Sequence, residues 1–228
     1  MRRSVPMDDR RPVAVATRRR SAYARAPHDA APSSSRWQRG AKSGGMRMLH
    51  SAAMTLADTP VRSTFSISPA GVADLGVVRA LADEIWHRHY PGIITVEQID
   101  YMLAEGYSDA ALAHFLDAGD AGLAIVRHEE RAVGFVAWRL RGADTAMRLE
   151  KLYVLPECHG LGIGRALIEH VVVHARERRC RIIELNVNRA NAKAIRAYEH
   201  CGFAIRESGD FPIGNGFVME DYIMERAL

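Results

Sequence analysis

Leu149-Glu-Lys-Leu-Tyr-Val-Leu-Pro-Glu-Cys-His-Gly-Leu-Gly-Ile-Gly-Arg-Ala-Leu167 is the stretch that decides how this chain is read. It predicts a strand, a short turn, three alternating glycines and the first turn of a helix. Gly160, Gly162 and Gly164 carry no Cβ, so the backbone there can bend sharply and let a ligand come close. Leu167, Ile168, Val171 and Ala175 then recur at helical spacing. Bare N–H groups at a helix start, with the helix dipole behind them, favour phosphate. The segment is therefore expected to hold a phosphorylated ligand.

Spacing narrows the choice of ligand. A Walker loop needs Gly-Lys-Ser/Thr, and Arg165-Ala166 follow Gly164 instead. A Rossmann fingerprint needs Gly-x-Gly-x-x-Gly directly after its strand. Here Leu155 to His159 intervene, and the glycines run Gly-x-Gly-x-Gly. Glu184 lies about where a ribose-binding acid would stand. It falls inside the apolar run Ile182 to Val187, however, and no further strand–helix–strand units follow.

Working outward, residues 63–69 predict a strand and 71–89 a helix with Val72, Leu75, Val78, Leu81 and Ile85 buried. Pro91-Gly92 ends that helix. Thr95 with Gln98 forms a capping-box pattern for a second helix, and Ser108 can cap a third. Ala124–His128 and Ala132–Arg139 alternate around Glu129-Glu130, as a hairpin does. Ala146–Val154 follows, then the loop and its helix to about Arg178. Ile182–Val187 is apolar on both faces, like a central strand. A helix over about 190–201 and two strands around Gly214-Asn215-Gly216 close the chain. The expected fold is one α/β domain: a mixed, mostly antiparallel sheet flanked by helices, with one parallel crossover.

His159-Gly-Leu-Gly-Ile-Gly164 resembles the Gln/Arg-x-x-Gly-x-Gly/Ala pyrophosphate loop of the GNAT acetyltransferase superfamily. Val154-Leu155-Pro156 matches the family's strand end, and Asn188, Asn191, Ala194, Tyr198 and Gly202-Phe203 match its downstream pattern. The resemblance spans roughly residues 64–228 and departs at His159, where the family prefers Gln or Arg. It implies acetyl-CoA as co-substrate. His159, Gly160, Leu161, Gly162, Ile163, Gly164 and Arg165 would form the pyrophosphate loop. Leu152 and Val154 would offer backbone groups to the pantetheine arm, with Asn191 beside it. N-capping is the alternative role for Asn188 and Asn191.

Acetyl transfer to nitrogen needs a neutral amine, and a primary amine with a pKa near 10.4 is neutral only about once in 10³ to 10⁴ at pH 7. A carboxylate can take its proton. By resemblance Glu150 is the expected base; it stands four residues before Val154, so strand alternation puts both on one face. Glu84, Glu184 and Asp221 are the other acids in play. Tyr198 stands where the family keeps the tyrosine that protonates the leaving thiolate. It also belongs to a helical stripe with Ala194, Ile195 and Cys201 that would pack in any case. The His-x-His of His87 and His89 has no third ligand at metal spacing, so no metal is expected. His170 and His174 are expected on a solvated helix face.

Glu97–Met102 and Asp210–Tyr222 look like parts of bacterial polyamine acetyltransferases of the PaiA type. That resemblance places Trp86, Tyr90, Tyr101, Phe211 and Phe217 in the acceptor cleft, with Glu84, Asp100 and Asp221 nearby. Aromatics with acids suit an alkyl chain bearing ammonium groups. The expectation is a small, polyamine-like amine acceptor. A protein lysine or N-terminal acetyltransferase and a non-catalytic acetyl-CoA-binding regulator are the competing readings.

Charge divides the chain. Of 31 Lys+Arg and 27 Asp+Glu, residues 1–60 hold 12 and 4, so the remainder is mildly acidic. That suits a cationic small molecule over nucleic acid. Residues 1–60 are rich in Arg, Ala, Ser and Pro, a composition expected to be disordered. A misplaced start with Met46, Met48 or Met54 as the true one, a transit peptide and a basic arm are the three readings of it. Residues 61–228 are expected to form the transferase domain. Three cysteines without a Cys-x-x-Cys predict reduced thiols and a cytoplasmic setting. No apolar run reaches the roughly 20 residues of a membrane span. A homodimer is left open.

Overall fold

The computed structural model describes residues 65–117, 119–141 and 146–228. The expected Arg-rich extension, residues 1–60, lies outside the described residues. The elements are β1 (Phe65–Pro69), α1 (Leu75–His89), α2 (Val96–Gly106), α3 (Asp109–Asp117), β2 (Ala121–His128), β3 (Arg131–Arg141) and β4 (Ala146–Val154). They continue with α4 (Ile163–Glu177), β5 (Ile182–Asn188), α5 (Ala192–His200), β6 (Ala204–Gly214) and β7 (Phe217–Ala227).

Seven strands form one sheet in the order β1-β2-β3-β4-β5-β7-β6. Every pairing is antiparallel except β4 with β5, which α4 connects as the expected crossover. Both tight hairpins use two residues at positive φ: Glu129 and Glu130 (49° and 64°), and Asn215 and Gly216 (51° and 78°). Such turns match the right-handed twist of the flanking strands.

The apolar stripes pack as periodicity predicts. Leu75, Val78, Leu81 and Ile85 of α1 are buried, as are Leu167, Ile168, Val171 and Ala175 of α4. Val72 is not; it sits in a 3-10 turn before α1 and is 76% exposed. Thr95 caps α2 by accepting the Gln98 N–H at 3.2 Å. The Gln98 side chain does not close the expected box. It reaches the Val218 carbonyl at 3.2 Å and so ties α2 to the last hairpin.

Two irregularities shape the centre. The β4–β5 ladder stops after three rungs, the last being Arg148 opposite Glu184. Beyond it the two strands part. On its other edge β4 carries a bulge: Ala137 faces Lys151 while Trp138 faces Leu149, which leaves Glu150 as the extra residue.

Candidate active site

A cavity of about 1210 Å³ opens where β4 and β5 part. Its walls come from the glycine loop, the second half of β4, the end of β5, α5, the C-terminal end of α1 and the last hairpin.

The loop end comes first. Gly160 and Gly162 adopt φ of 85° and 80°, a region that a side chain strains. No protein atom lies within 4 Å of where a Cβ would stand on Gly160, Gly162 or Gly164. Their faces are thus open to a ligand. The first turn of α4 carries no acid, and Arg165 stands there on the cavity wall. Ile163 is buried beneath the loop, whereas Leu161 is exposed and outside the lining. These features fit a pyrophosphate.

His159 of the loop contacts protein groups through both ring nitrogens. Its Nε2 lies 3.0 Å from the Val154 carbonyl and its Nδ1 2.8 Å from Lys193 Nζ. A carbonyl only accepts, so Nε2 carries the proton and Nδ1 accepts from the lysine. The ring bridges the end of β4 to α5.

The next stretch is an open strand edge. Leu155 N–H donates to Val133 of β3, so the backbone groups of Val154 and Leu152 point to the opposite edge, toward β5. No rung is formed there past Arg148. Leu152 lines the cavity, and the Val154 carbonyl is held by His159. Asn191 caps α5, its Oδ1 accepting the Ala194 N–H at 3.2 Å, and its buried side chain lines the cavity. Asn188 caps no helix; its Oδ1 takes the Ala190 N–H at 2.9 Å in the turn before α5.

Tyr198 of α5 lines the cavity, its ring 5.7 Å from Phe203. Burial pushes its pKa up to about 12. The hydroxyl is therefore protonated across neutral pH and can donate. Trp86 and Tyr90 pack at a tilt of 40° with centroids 4.5 Å apart and join Tyr153, Tyr107 and Phe135 in one aromatic cluster. Burial holds the Tyr90 and Tyr153 hydroxyls well above the ordinary tyrosine range.

Glu150 is on the cavity wall, but the bulge changes its face. Val154 pairs with Gly134, while Tyr153 pairs with Phe135 on the other face. Arg139 shares Phe135's face by alternation, and Glu150 accepts from Arg139 Nε. Glu150 thus faces opposite to Val154, contrary to the four-residue count. Arg148 Nε lies 3.7 Å from the same carboxylate oxygen.

Several expected cleft residues stand elsewhere. Tyr101 is outside the cavity: its hydroxyl donates to the Ile213 carbonyl at 2.9 Å and its ring packs on Phe217 at 5.4 Å. It fills the space that a Cβ on Gly214 would need. Glu84 pairs with Arg88, and Asp100 with His87. Glu184 is buried among Arg141, Arg148 and Arg206. Its carboxylate has no room for a ribose. His170 and His174 pack on Trp138, the latter stacked at 4.8 Å with its side chain still 39% exposed.

Phe211 and Asp221 do line the cavity. So do His89, Lys151 and Asn186, which the sequence reading did not place there. The one signal for His89 and Lys151 was adjacency: each neighbours a named candidate in sequence. Among the described residues no group of three His, Cys, Asp or Glu could hold a metal, and no helix is long and apolar enough to cross a membrane.

The model of the acetyltransferase (GNAT) family matches residues 81–203. An N-acetyltransferase of Mycobacterium bovis is 31% identical over 157 residues, covering 69% of this chain and 99% of the relative. The chain belongs to the GNAT acetyltransferase family. It is an N-acetyltransferase, and acetyl-CoA is its co-substrate. Mycothiol acetyltransferase of Propionibacterium freudenreichii is 32% identical over 123 residues, but these cover 51% of this chain and 36% of that enzyme. The PaiA N-acetyltransferase of Thermoplasma acidophilum, solved in complex with coenzyme A, shares this GNAT fold. It has a TM-score of 0.63 and 23% identity over 72% of this chain and 99% of that one.

Proposed function

We propose that this GNAT enzyme transfers acetyl to a primary amine of a small, polyamine-like acceptor. One observation carries the reading. The glycine loop, Tyr198 and the aromatic residues Trp86, Tyr90 and Phe211 all line a single cavity. The open faces of Gly160, Gly162 and Gly164 with Arg165 hold the pyrophosphate. Leu152 N–H and C=O and the Asn191 side chain orient the arm. Tyr198 delivers a proton to the departing sulfur. Glu150, fixed by Arg139 and Arg148, is the first carboxylate on the acceptor wall. Trp86 and Tyr90 present aromatic faces to an ammonium-bearing chain; Tyr101 acts on the acceptor only through the hairpin it braces.

An arginine-rich feature supports a second reading of the acceptor. A side cavity of about 260 Å³ is lined by Arg139, Arg141 and Arg148 and shares Arg148, Asn186 and Phe211 with the main one. It suits an amine that also carries a carboxylate or phosphate. A screen of diamines, amino acids, amino sugars and short peptides with a free-thiol readout separates the readings. Turnover of diamines supports the first and of amino acids the second. Turnover of peptides alone, or acetyl-CoA binding without turnover, points to the protein acetyltransferase or the regulator.

A further inference from the structure

Buried acids in this fold come in two kinds. Glu184 shows what a structural one looks like: its side chain is 4% exposed and three arginines surround it. Asp221 of β7 is as deeply placed, at 6% exposure, yet no cation comes within ion-pair distance among the described residues. Its Oδ2 has one donor, Asn186 Nδ2 at 3.3 Å. Its Oδ1 has no partner, and neither has Asn186 Oδ1. The amide orientation follows from the contact, since turning it would set oxygen against oxygen. Asp221 and Asn186 thus present two buried, unsatisfied acceptors on the wall of the acetyl-transfer cavity.

Buried acceptors are normally paired, and an unpaired buried carboxylate is costly. Such a pair calls for a donor-rich, cationic group. A primary ammonium has three N–H donors and no lone pair. We propose that Asp221 and Asn186 form the seat of the acceptor's ammonium group and that Asp221 takes its proton. This deepens the transferase reading and rests on it. Electrostatics agrees with the geometry. Burial raises the Asp221 pKa above the ordinary carboxylate value, against smaller downward pulls from Asn186, Arg148 and Arg189. A carboxyl group so shifted accepts a proton more readily. Tyr90 lies within electrostatic reach of both Asp221 and Tyr198.

The step balances. R–NH₃⁺ gives one proton to the Asp221 carboxylate and becomes R–NH₂. Its nitrogen bonds to the thioester carbon as the C–S bond breaks. Tyr198 gives its proton to sulfur and is refilled by the second proton lost from nitrogen. The Asp221 proton then leaves to solvent. R–NH₃⁺ and acetyl-CoA become the N-acetyl amide, CoA–SH and H⁺.

The test compares wild type, Asp221→Asn and Asn186→Ala by free-thiol release on putrescine, spermidine, lysine and an alanine-led tripeptide. D221N should keep its acetyl-CoA-induced rise in melting temperature. Its kcat/KM should fall roughly 100-fold at pH 7. The loss should shrink to about 10-fold or less at pH 9.5, where neutral amine is some hundreds of times more abundant. Turnover within about three-fold of wild type at pH 7, or an equal loss at both pH values, overturns the proposal. If D221N does not fold, N186A decides: the amine KM should rise about 10-fold with kcat nearly kept, and an unchanged KM overturns the seat. A wild type that binds acetyl-CoA but turns over none of the four amines defeats the transferase reading and the proposal together. An active wild type matched by D221N defeats the proposal alone.

Discussion

Arg148 and Glu184 face each other across the last rung of the parallel β4–β5 ladder, with Arg148 Nη1 3.6 Å from Glu184 Oε1. Past this pair the strands separate and the large cavity begins. Glu184 also draws in Arg141 from β3 and Arg206 from β6. A single buried carboxylate thus binds side chains from three other strands at the point where backbone hydrogen bonding stops. The cage fixes where the sheet opens.

Replacing Glu184 by Gln should therefore destabilise the protein. Arg148, only 17% exposed, loses the nearer of its two anions, Glu184 at 3.6 Å against Glu150 at 3.7 Å, while Arg141 and Arg206 still reach water. Discounted for that screening, the cost is about 2 kcal/mol. Chemical denaturation measures it. An unchanged midpoint would show that the cage contributes nothing net.

Gly162→Val should abolish the rise in melting temperature that acetyl-CoA gives to the wild type. At φ of 80° a β-branched residue is strained, and its side chain would fill the open face where phosphate must approach. Gly164→Ala is the informative partner. Gly164 has no positive φ, so the fold should be kept while affinity for acetyl-CoA weakens. A full ligand shift in both variants would remove the phosphate from this loop.

Lys151 gives the protein a pH signature. Burial lowers its pKa to about 8, partly opposed by Glu150, and its Nζ lies 4.2 Å from the Tyr107 ring centroid. In the unfolded chain it keeps its proton up to about pH 10.4. Between these values the unfolded state holds more protons, so stability from this group rises with pH from about 8 toward 10. Lys151→Met should remove that rise and leave the protein more stable at pH 7. Melting curves at pH 7 and 9.5 decide it, and an unaltered slope would place the ammonium in water.

Local periodicity made the fold legible. The apolar stripes of α1 and α4, the glycines before α4 and the alternation of β2 and β3 each encode an element without reference to the rest of the chain. The cavity's phosphate end was equally local, because a loop and the helix it opens are contiguous. The acceptor end was not. The bulge at Glu150 arises from the register of β3 against β4, and no residue in Leu149–Val154 marks it. Tyr101 serves the hairpin because Gly214 leaves room for its hydroxyl, a contact across more than a hundred residues. His170 and His174 read as solvated until Trp138 is brought over them. Asp221 was one acid among several; only packing shows that its neighbours leave it without a cation.

Tyr198→Phe tests the remaining assignment. The phenylalanine keeps the ring that meets Phe203 and removes the hydroxyl alone. That hydroxyl makes no hydrogen bond among the described residues, so its loss should cost the fold little. Acetyl-CoA affinity should also hold, because a proton donor acts as charge develops on sulfur and not before. If Tyr198 protonates the thiolate, kcat should fall by roughly 100-fold with the amine KM nearly unchanged. Tyr198 itself should add no titration to the wild-type rate through neutral pH, since a hydroxyl with a pKa of about 12 keeps its proton there. A thiolate leaves fairly well unaided, which sets a floor under the variant's rate. Full turnover in Y198F with an acceptor that the wild type uses would make Tyr198 a packing residue, and the proton for sulfur would have to come from solvent.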